Sequence, residues 1–259
     1  MVMKIEVFKY FKFYFFVIFM FSFAIVSAQG DIEIGIDEKL GNTIPMETEF
    51  ITSKGDTVSL DEIVKKPFLL ALVYYECPDI CSPLLTELAW VADKVELVPN
   101  EDFQVVSLSF DHRENAAVAK KWKKNYFTGI KGNFPEDAWT FLTGDSANIR
   151  KITDATGFKF KPREDLYLHP GALIAISPKG KITRYIFGNT YNPFDIKMAL
   201  IDAGSGKTSP TVAKVLQYCF SYDPEGRGYT LNITRIIGTI MLLSAGIFLL
   251  VLVIKKRKN

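Results

Sequence analysis

Apolar and polar residues fall in blocks along the middle of the chain, and the blocks follow two periods. Short continuous apolar runs bounded by proline, glycine or charge predict buried strands at Phe68–Tyr75, Phe103–Ser109, Trp139–Thr143, Ala172–Ile176 and Ile182–Phe187. Between them, apolar residues recur every third or fourth position. This spacing predicts helices over Pro83–Leu97, Asn115–Tyr126, Ser146–Thr156 (stopped by Gly157) and Pro193–Ala203. Upstream, Phe50–Thr52 and Thr57–Leu60 flank the turn-like Ser53-Lys54-Gly55-Asp56 and read as a hairpin. Asp61 reads as the cap of a short helix over Glu62–Lys65. Gly30 to Pro45 has no period and reads as an extended lead-in. The order is hairpin, βαβαβα, β-hairpin, helix. It predicts an α/β domain with a central mixed β-sheet, parallel at its middle, flanked by helices.

The two ends of the chain are apolar in different ways. Lys4, Lys9 and Lys12 precede a run from Phe13 to Val26, and Val26-Ser27-Ala28 before Gln29 has the small residues of a signal-peptidase site. The expectation is a signal peptide over 1–28, with an uncleaved anchor as the alternative. Near the other end, Ile236 to Ile254 carries no charge and is followed by Lys255-Lys256-Arg257-Lys258. A helix of this length rises roughly 28 Å, close to the thickness of a bilayer core. The expected organisation is a domain over 29–206 (core about 35–203), a juxtamembrane segment over 207–230, one C-terminal transmembrane helix over 231–254 and a basic tail over 255–259. The positive-inside rule places the tail in the cytoplasm and the domain on the extracytoplasmic side of the cell membrane.

Composition adds two bounds. The 259 residues are 48% hydrophobic, enough for one sizeable core. The net charge of +2, scattered except at the tail, argues against nucleic acid as a partner. Three cysteines leave Cys77 and Cys81 as a natural pair and Cys219 over, the last read as a half-buried free thiol.

The candidate chemistry lies in Tyr74-Tyr75-Glu76-Cys77-Pro78-Asp79-Ile80-Cys81, where the central strand hands over to a helix. α/β sheets place their sites at that end of a strand. Unpaired N–H groups and the positive dipole end of the helix are expected to lower thiol pKa there. One alternative is a structural disulfide, which an extracytoplasmic compartment permits. Against it, so small a loop removes little chain entropy when closed, so reactivity explains the pair better. His169 precedes the strand Ala172–Ile176. If that strand runs antiparallel to the cysteine strand, His169 falls beside the sulfurs; otherwise it is a surface-loop histidine. Two thiolates and an imidazole make a soft trigonal site suited to Cu(I). His112, in Asp111-His112-Arg113-Glu114, reads as part of a solvated loop, and Asp111 as a hydrogen-bonding support for the ligands.

Cys77-Pro78-Asp79-Ile80-Cys81 after an apolar strand, Ser107-Leu108-Ser109-Phe110-Asp111 and His169 before a strand followed by Pro178-Lys179-Gly180 together resemble the SCO1/SenC family. The resemblance runs from about Gly35 to Ala203. It implies a thioredoxin-like fold and a membrane-tethered copper chaperone for cytochrome c oxidase assembly. It also implies Cys77, Cys81 and His169 as ligands of copper, Cu(I) or Cu(II), with Asp111 at an acidic position of the family's loop. Subunit II of the oxidase would be the partner. A dithiol must be reduced to bind metal, so an exported thiol reductant is implied too. Ser82, His112 and Pro170 depart from residues common in the family, as does a C-terminal tether. The second reading is a thiol–disulfide oxidoreductase using Cys77 and Cys81 as a redox-active pair, which needs neither metal nor His169. A peroxidase is a third, with no residue that commits to peroxide chemistry.

Overall fold

The computed structural model describes residues 34–209 apart from 131, 133, 165 and 189, together with 220–223, 228–231 and 233–258. The segment 1–28 and Cys219 lie outside the described residues. In chain order the elements begin with β1 (Gly35–Ile36), β2 (Glu49–Thr52), β3 (Thr57–Ser59), α1 (Leu60–Ile63) and β4 (Phe68–Val73). They continue with α2 (Cys81–Lys94), β5 (Gln104–Ser109), α3 (Ala116–Phe127), β6 (Trp139–Thr143) and α4 (Ser146–Thr156). Next come β7 (Phe158–Lys159), β8 (Lys161–Arg163), β9 (Leu166–Leu168), β10 (Ala172–Ile176), β11 (Ile182–Phe187) and α5 (Pro193–Gly204). A separate hairpin, β12 (Phe220–Asp223) with β13 (Gly228–Leu231), precedes α6 (Ile233–Lys258).

One seven-stranded sheet has the order β11-β10-β4-β5-β6-β2-β3. All six residues of β4 are buried, which is why its sequence does not alternate: both faces are covered. β4, β5 and β6 are mutually parallel, whereas β10 runs antiparallel to β4 with Leu173 opposite Ala71. α2 and α3 join parallel strands that step in the same direction across the sheet, so right-handed crossovers place both helices on one face. The closing hairpin thus supplies the antiparallel pair that the sequence predicts.

Local chemistry moves several predicted boundaries. α1 starts at Leu60 because Ser59, not Asp61, is its cap: the Ser59 N–H donates to Glu62 in a capping box. α2 starts at Cys81, two residues before Pro83, because proline is tolerated in a first turn whose N–H groups have no helical acceptor. Val95 turns extended and ends α2 at Lys94, short of the predicted Leu97. Asn115 and Asp145 cap α3 and α4 by accepting N–H groups of Ala117 with Val118, and of Ala147 with Asn148. α4 stops at Gly157, whose left-handed φ of 67° suits glycine.

The lead-in is more structured than its sequence indicates. β1 pairs with β7, and the Gly41 N–H donates to Ile182 O while the Ile182 N–H donates to Asn42 O, at 2.9 and 2.8 Å. This covers part of the edge strand β11 and blunts it against pairing with another chain. After α5 the chain is fastened again. The Ser209 N–H donates to Thr183 O at 3.1 Å, and its hydroxyl donates to Asp202, which also pairs with Arg184.

α6 is 26 residues long and contains the uncharged run from Ile236 to Ile254. Its side chains beyond 248 lie outside the described residues. Among the described residues, no helix is long and apolar enough to cross a membrane.

Candidate metal centre

β4 delivers its cysteines by ending. After Val73 the chain leaves the sheet through Tyr74 and Tyr75; Cys77 lies just before α2 and Cys81 is its first residue. Tyr75 is held at the exit: its hydroxyl lies 2.8 Å from Ser107 O and 2.9 Å from Leu142 O, and accepts the Leu142 N–H at 3.0 Å. The antiparallel register then places His169. Leu173 faces Ala71, so four residues earlier the chain has passed the C-terminal end of β4 and stands level with Tyr75.

The three predicted ligands meet. His169 Nε2 lies 3.4 Å from Cys81 Sγ and 4.0 Å from Cys77 Sγ, and all three ligand atoms fall within 4.8 Å of one another. All three residues are buried, and both thiols are free. His169 Nδ1 lies 3.0 Å from Pro170 O, a group that only accepts, so Nδ1 carries the hydrogen and Nε2 presents its lone pair to the sulfurs. Bonds of about 2.0–2.3 Å, as zinc makes to imidazole and thiolate, would set three ligand atoms in a plane roughly 3.5–4 Å apart. The donor set therefore fits one soft, low-coordinate ion with little rearrangement.

The two thiols are not equivalent. A hydrogen bond from the Cys81 thiol, with the Asp79 N–H at 3.4 Å, holds the Cys77 thiol far below its ordinary range although burial opposes this. Burial and the neighbouring Cys77 push Cys81 up instead. Proximity to a helix N-terminus does not decide the matter: Cys81 is the residue inside α2, yet Cys77 before it carries the thiolate. Burial and a hydrogen bond to Cys77 also push the Tyr74 phenol up.

Aromatic rings enclose the imidazole. Tyr74 and Phe110 stand edge-to-face with it at 5.6 and 5.0 Å, and Phe158 lies at 6.3 Å. A cavity of about 270 Å³ opens over Cys77 and His169 beneath the β8–β9 hairpin, which contributes Arg163, Leu166 and Tyr167 to its wall. Cys81 is not in that wall. Access to the centre is therefore from the Cys77 side.

Asp111 is near the centre but supports it indirectly. Its carboxylate accepts from Arg113 Nε at 2.9 Å, Arg113 Nη2 at 2.7 Å and the Tyr167 hydroxyl at 3.3 Å. The Arg113 guanidinium also lies over the Tyr167 ring, 5.1 Å from its centre. Burial works against ionising Asp111, but Arg113 prevails and leaves its pKa below the usual carboxylate range. His112 is exposed and does not join the cluster. The sequence reading missed Glu114, a buried carboxylate in the same charged run.

A mixed sheet flanked by helices, with a cysteine pair where the central strand meets a helix, defines a thioredoxin-like α/β domain. The chain belongs to the SCO1/SenC family, which matches residues 37–201. Among curated proteins it is similar to one from Stutzerimonas stutzeri named for copper binding, 22% identical over 146 residues, covering 54% of this chain and 67% of that one. Among solved structures it is similar to a protein of Aquifex aeolicus VF5 named for electron transfer, 28% identical with a TM-score of 0.59, covering 64% of this chain and 95% of that one. The fold is shared with Arabidopsis thaliana ScoI with copper bound, at 20% identity and a TM-score of 0.51, covering 63% and 97%.

Proposed function

We propose that this protein is a membrane-anchored copper chaperone whose cargo ion is held by Cys77, Cys81 and His169. The observation that carries the reading is the convergence of two thiols and one imidazole lone pair, all buried, within 4.8 Å. Thiolates favour soft ions, and two with one imidazole favour copper over the hard cations that oxygen ligands select. Membership of a family involved in cytochrome c oxidase assembly supports the oxidase as the destination. The recipient is the oxidase, through the copper centre of its subunit II. A dithiol that accepts metal must be kept reduced, which calls for an exported thiol reductant.

The anchor is part of the proposal. Ile240, Leu242, Leu243, Ile247 and Phe248 of α6 are all exposed and do not share one face of the helix. A bilayer around Ile236 to Ile254 would cover them, with Lys255 to Lys258 on the cytoplasmic side and the domain outside, after cleavage of a signal peptide over 1–28.

Copper stoichiometry of the full-length protein purified under reducing conditions is the test. One copper per chain, lost in Cys77→Ser and Cys81→Ser, is expected; a wild-type protein that binds none sinks the reading. The paired free thiols also favour a thiol–disulfide oxidoreductase. His169→Ala separates the two readings, because exchange needs only the thiols.

A further inference from the structure

The turn from Ser109 to Glu114 touches both halves of the centre. One Glu114 oxygen accepts the Tyr75 N–H at 2.9 Å and the other accepts the Glu76 N–H at 2.8 Å. These are the last two residues before Cys77, in the stretch where β4 has left the sheet and its N–H groups have lost their ladder partners. A buried N–H without an acceptor is costly, so this carboxylate continues the ladder where β5 cannot. The Ser109 hydroxyl donates to the same carboxylate at 2.6 Å and accepts the Asp111 N–H at 3.1 Å. Asp111 in turn holds Tyr167, two residues before His169. One six-residue turn therefore fastens the cysteine arm through Glu114 and the histidine arm through Asp111, with Ser109 between them.

We infer that Glu114 is a positioning residue, which sets the place of Cys77 relative to His169 by clamping the two peptide N–H groups that precede the cysteine. This rests on the reading of Cys77, Cys81 and His169 as copper ligands. A clamp of this kind differs from a residue that merely adds stability. Burial raises the Glu114 pKa, with the Ser109 and backbone hydrogen bonds opposing it, so keeping a carboxylate here carries a cost in stability. A neutral side chain of the same shape would avoid that cost. The carboxylate offers what the amide does not: two equivalent acceptors for two parallel donors.

The test compares wild-type and Glu114→Gln in the full-length, reduced protein, with copper added as Cu(I) and as Cu(II) under chelator competition. Glutamine keeps the shape but turns one acceptor into a donor aimed at an N–H. We expect the Tyr75 and Glu76 amides to exchange hydrogen faster in the metal-free variant. Copper affinity should fall by about tenfold or more, as for other residues that orient ligands, and the sulfur-to-Cu(II) charge-transfer band should shift. Thermal stability should change little. A lower melting temperature with unchanged affinity and band position would make Glu114 structural only and overturn the inference, as would unchanged amide exchange. If wild-type protein binds no copper, the ligand reading fails, and amide exchange together with the Cys77 alkylation rate still decides whether Glu114 clamps the loop. Should Glu114→Gln fail to fold, Glu114→Asp decides. That shorter acid keeps the charge but draws the carboxylate back from both N–H groups, so weaker copper binding with faster Tyr75 and Glu76 amide exchange supports the clamp, and unchanged affinity overturns it.

Discussion

Cys77, Cys81 and His169 have separable jobs, and single substitutions should separate them. His169→Ala leaves a two-coordinate dithiolate, which still suits Cu(I) but fits Cu(II) poorly. Cu(II) affinity should fall by roughly two orders of magnitude and Cu(I) affinity by much less, while reduction of a small disulfide substrate persists. Titration against a chelator and a disulfide-reduction assay on the same variant read both. Cys77 lines the cavity and carries the thiolate, so iodoacetamide should modify it before Cys81, and its rate should stay nearly level as pH falls from 9 towards 6. Peptide mapping of alkylated protein checks this, and faster modification of Cys81 would contradict the assignment. Asp111 has a folded-state pKa below its unfolded value. Its contribution to stability is therefore complete above the carboxylate range and lost as pH falls through the lowered value. Asp111→Asn should reduce the melting temperature at neutral pH, and its difference from wild-type should shrink in acid.

At the scale of elements, the strongest test is the junction of α4 with β7. A Cβ at Gly157 would overlap the Asp37 carbonyl oxygen, on a residue with φ of 67°. Gly157→Ala should cost on the order of 2–3 kcal/mol, combining left-handed strain with a backbone clash. It should also unpair β1 from β7, which denaturant titration and amide exchange at Ile36 would register. The elements that could be read from sequence have strong periods and clear stops. β4 is a continuous apolar run between Pro67 and Pro78, and β10 and β11 are joined by Pro178-Lys179-Gly180-Lys181. Their pairing put His169 within reach of the sulfurs. β7, β8 and β9 were not legible, because strands of two or three residues such as Lys161-Pro162-Arg163 have no period to detect. Yet β9 carries Tyr167, and its hairpin walls the cavity. Glu114 was hidden for a different reason. In Asp111-His112-Arg113-Glu114 it looks like one more solvated charge, and only the fold shows that it faces two orphaned N–H groups.

For the whole molecule, orientation is the checkable property. With cysteines introduced one at a time near Lys179 and near Lys256, a membrane-impermeant thiol reagent on intact cells or spheroplasts should label only the first; equal labelling would overturn the proposed topology. The place where the chain leaves the domain adds a consequence of its own. Ser209 is fastened to Thr183, beside Ile182, which pairs with Ile176, which pairs with Phe68 at the start of β4. The cysteines follow the other end of that strand, six residues and roughly 20 Å away. Between Ser209 and Ile233 the β12–β13 hairpin returns Leu231 beside Phe220, so the reach comes mainly from residues 210–219, about 35 Å at most. If α6 spans a bilayer as proposed, the domain is a head on a leash, tethered from the end of the sheet opposite the cysteines. Under that proposal, delivery would be a search within the leash's reach, where effective concentration replaces bulk concentration. Lengthening the 210–232 segment with Gly-Ser repeats should then slow copper transfer to a membrane-bound acceptor while leaving copper affinity unchanged.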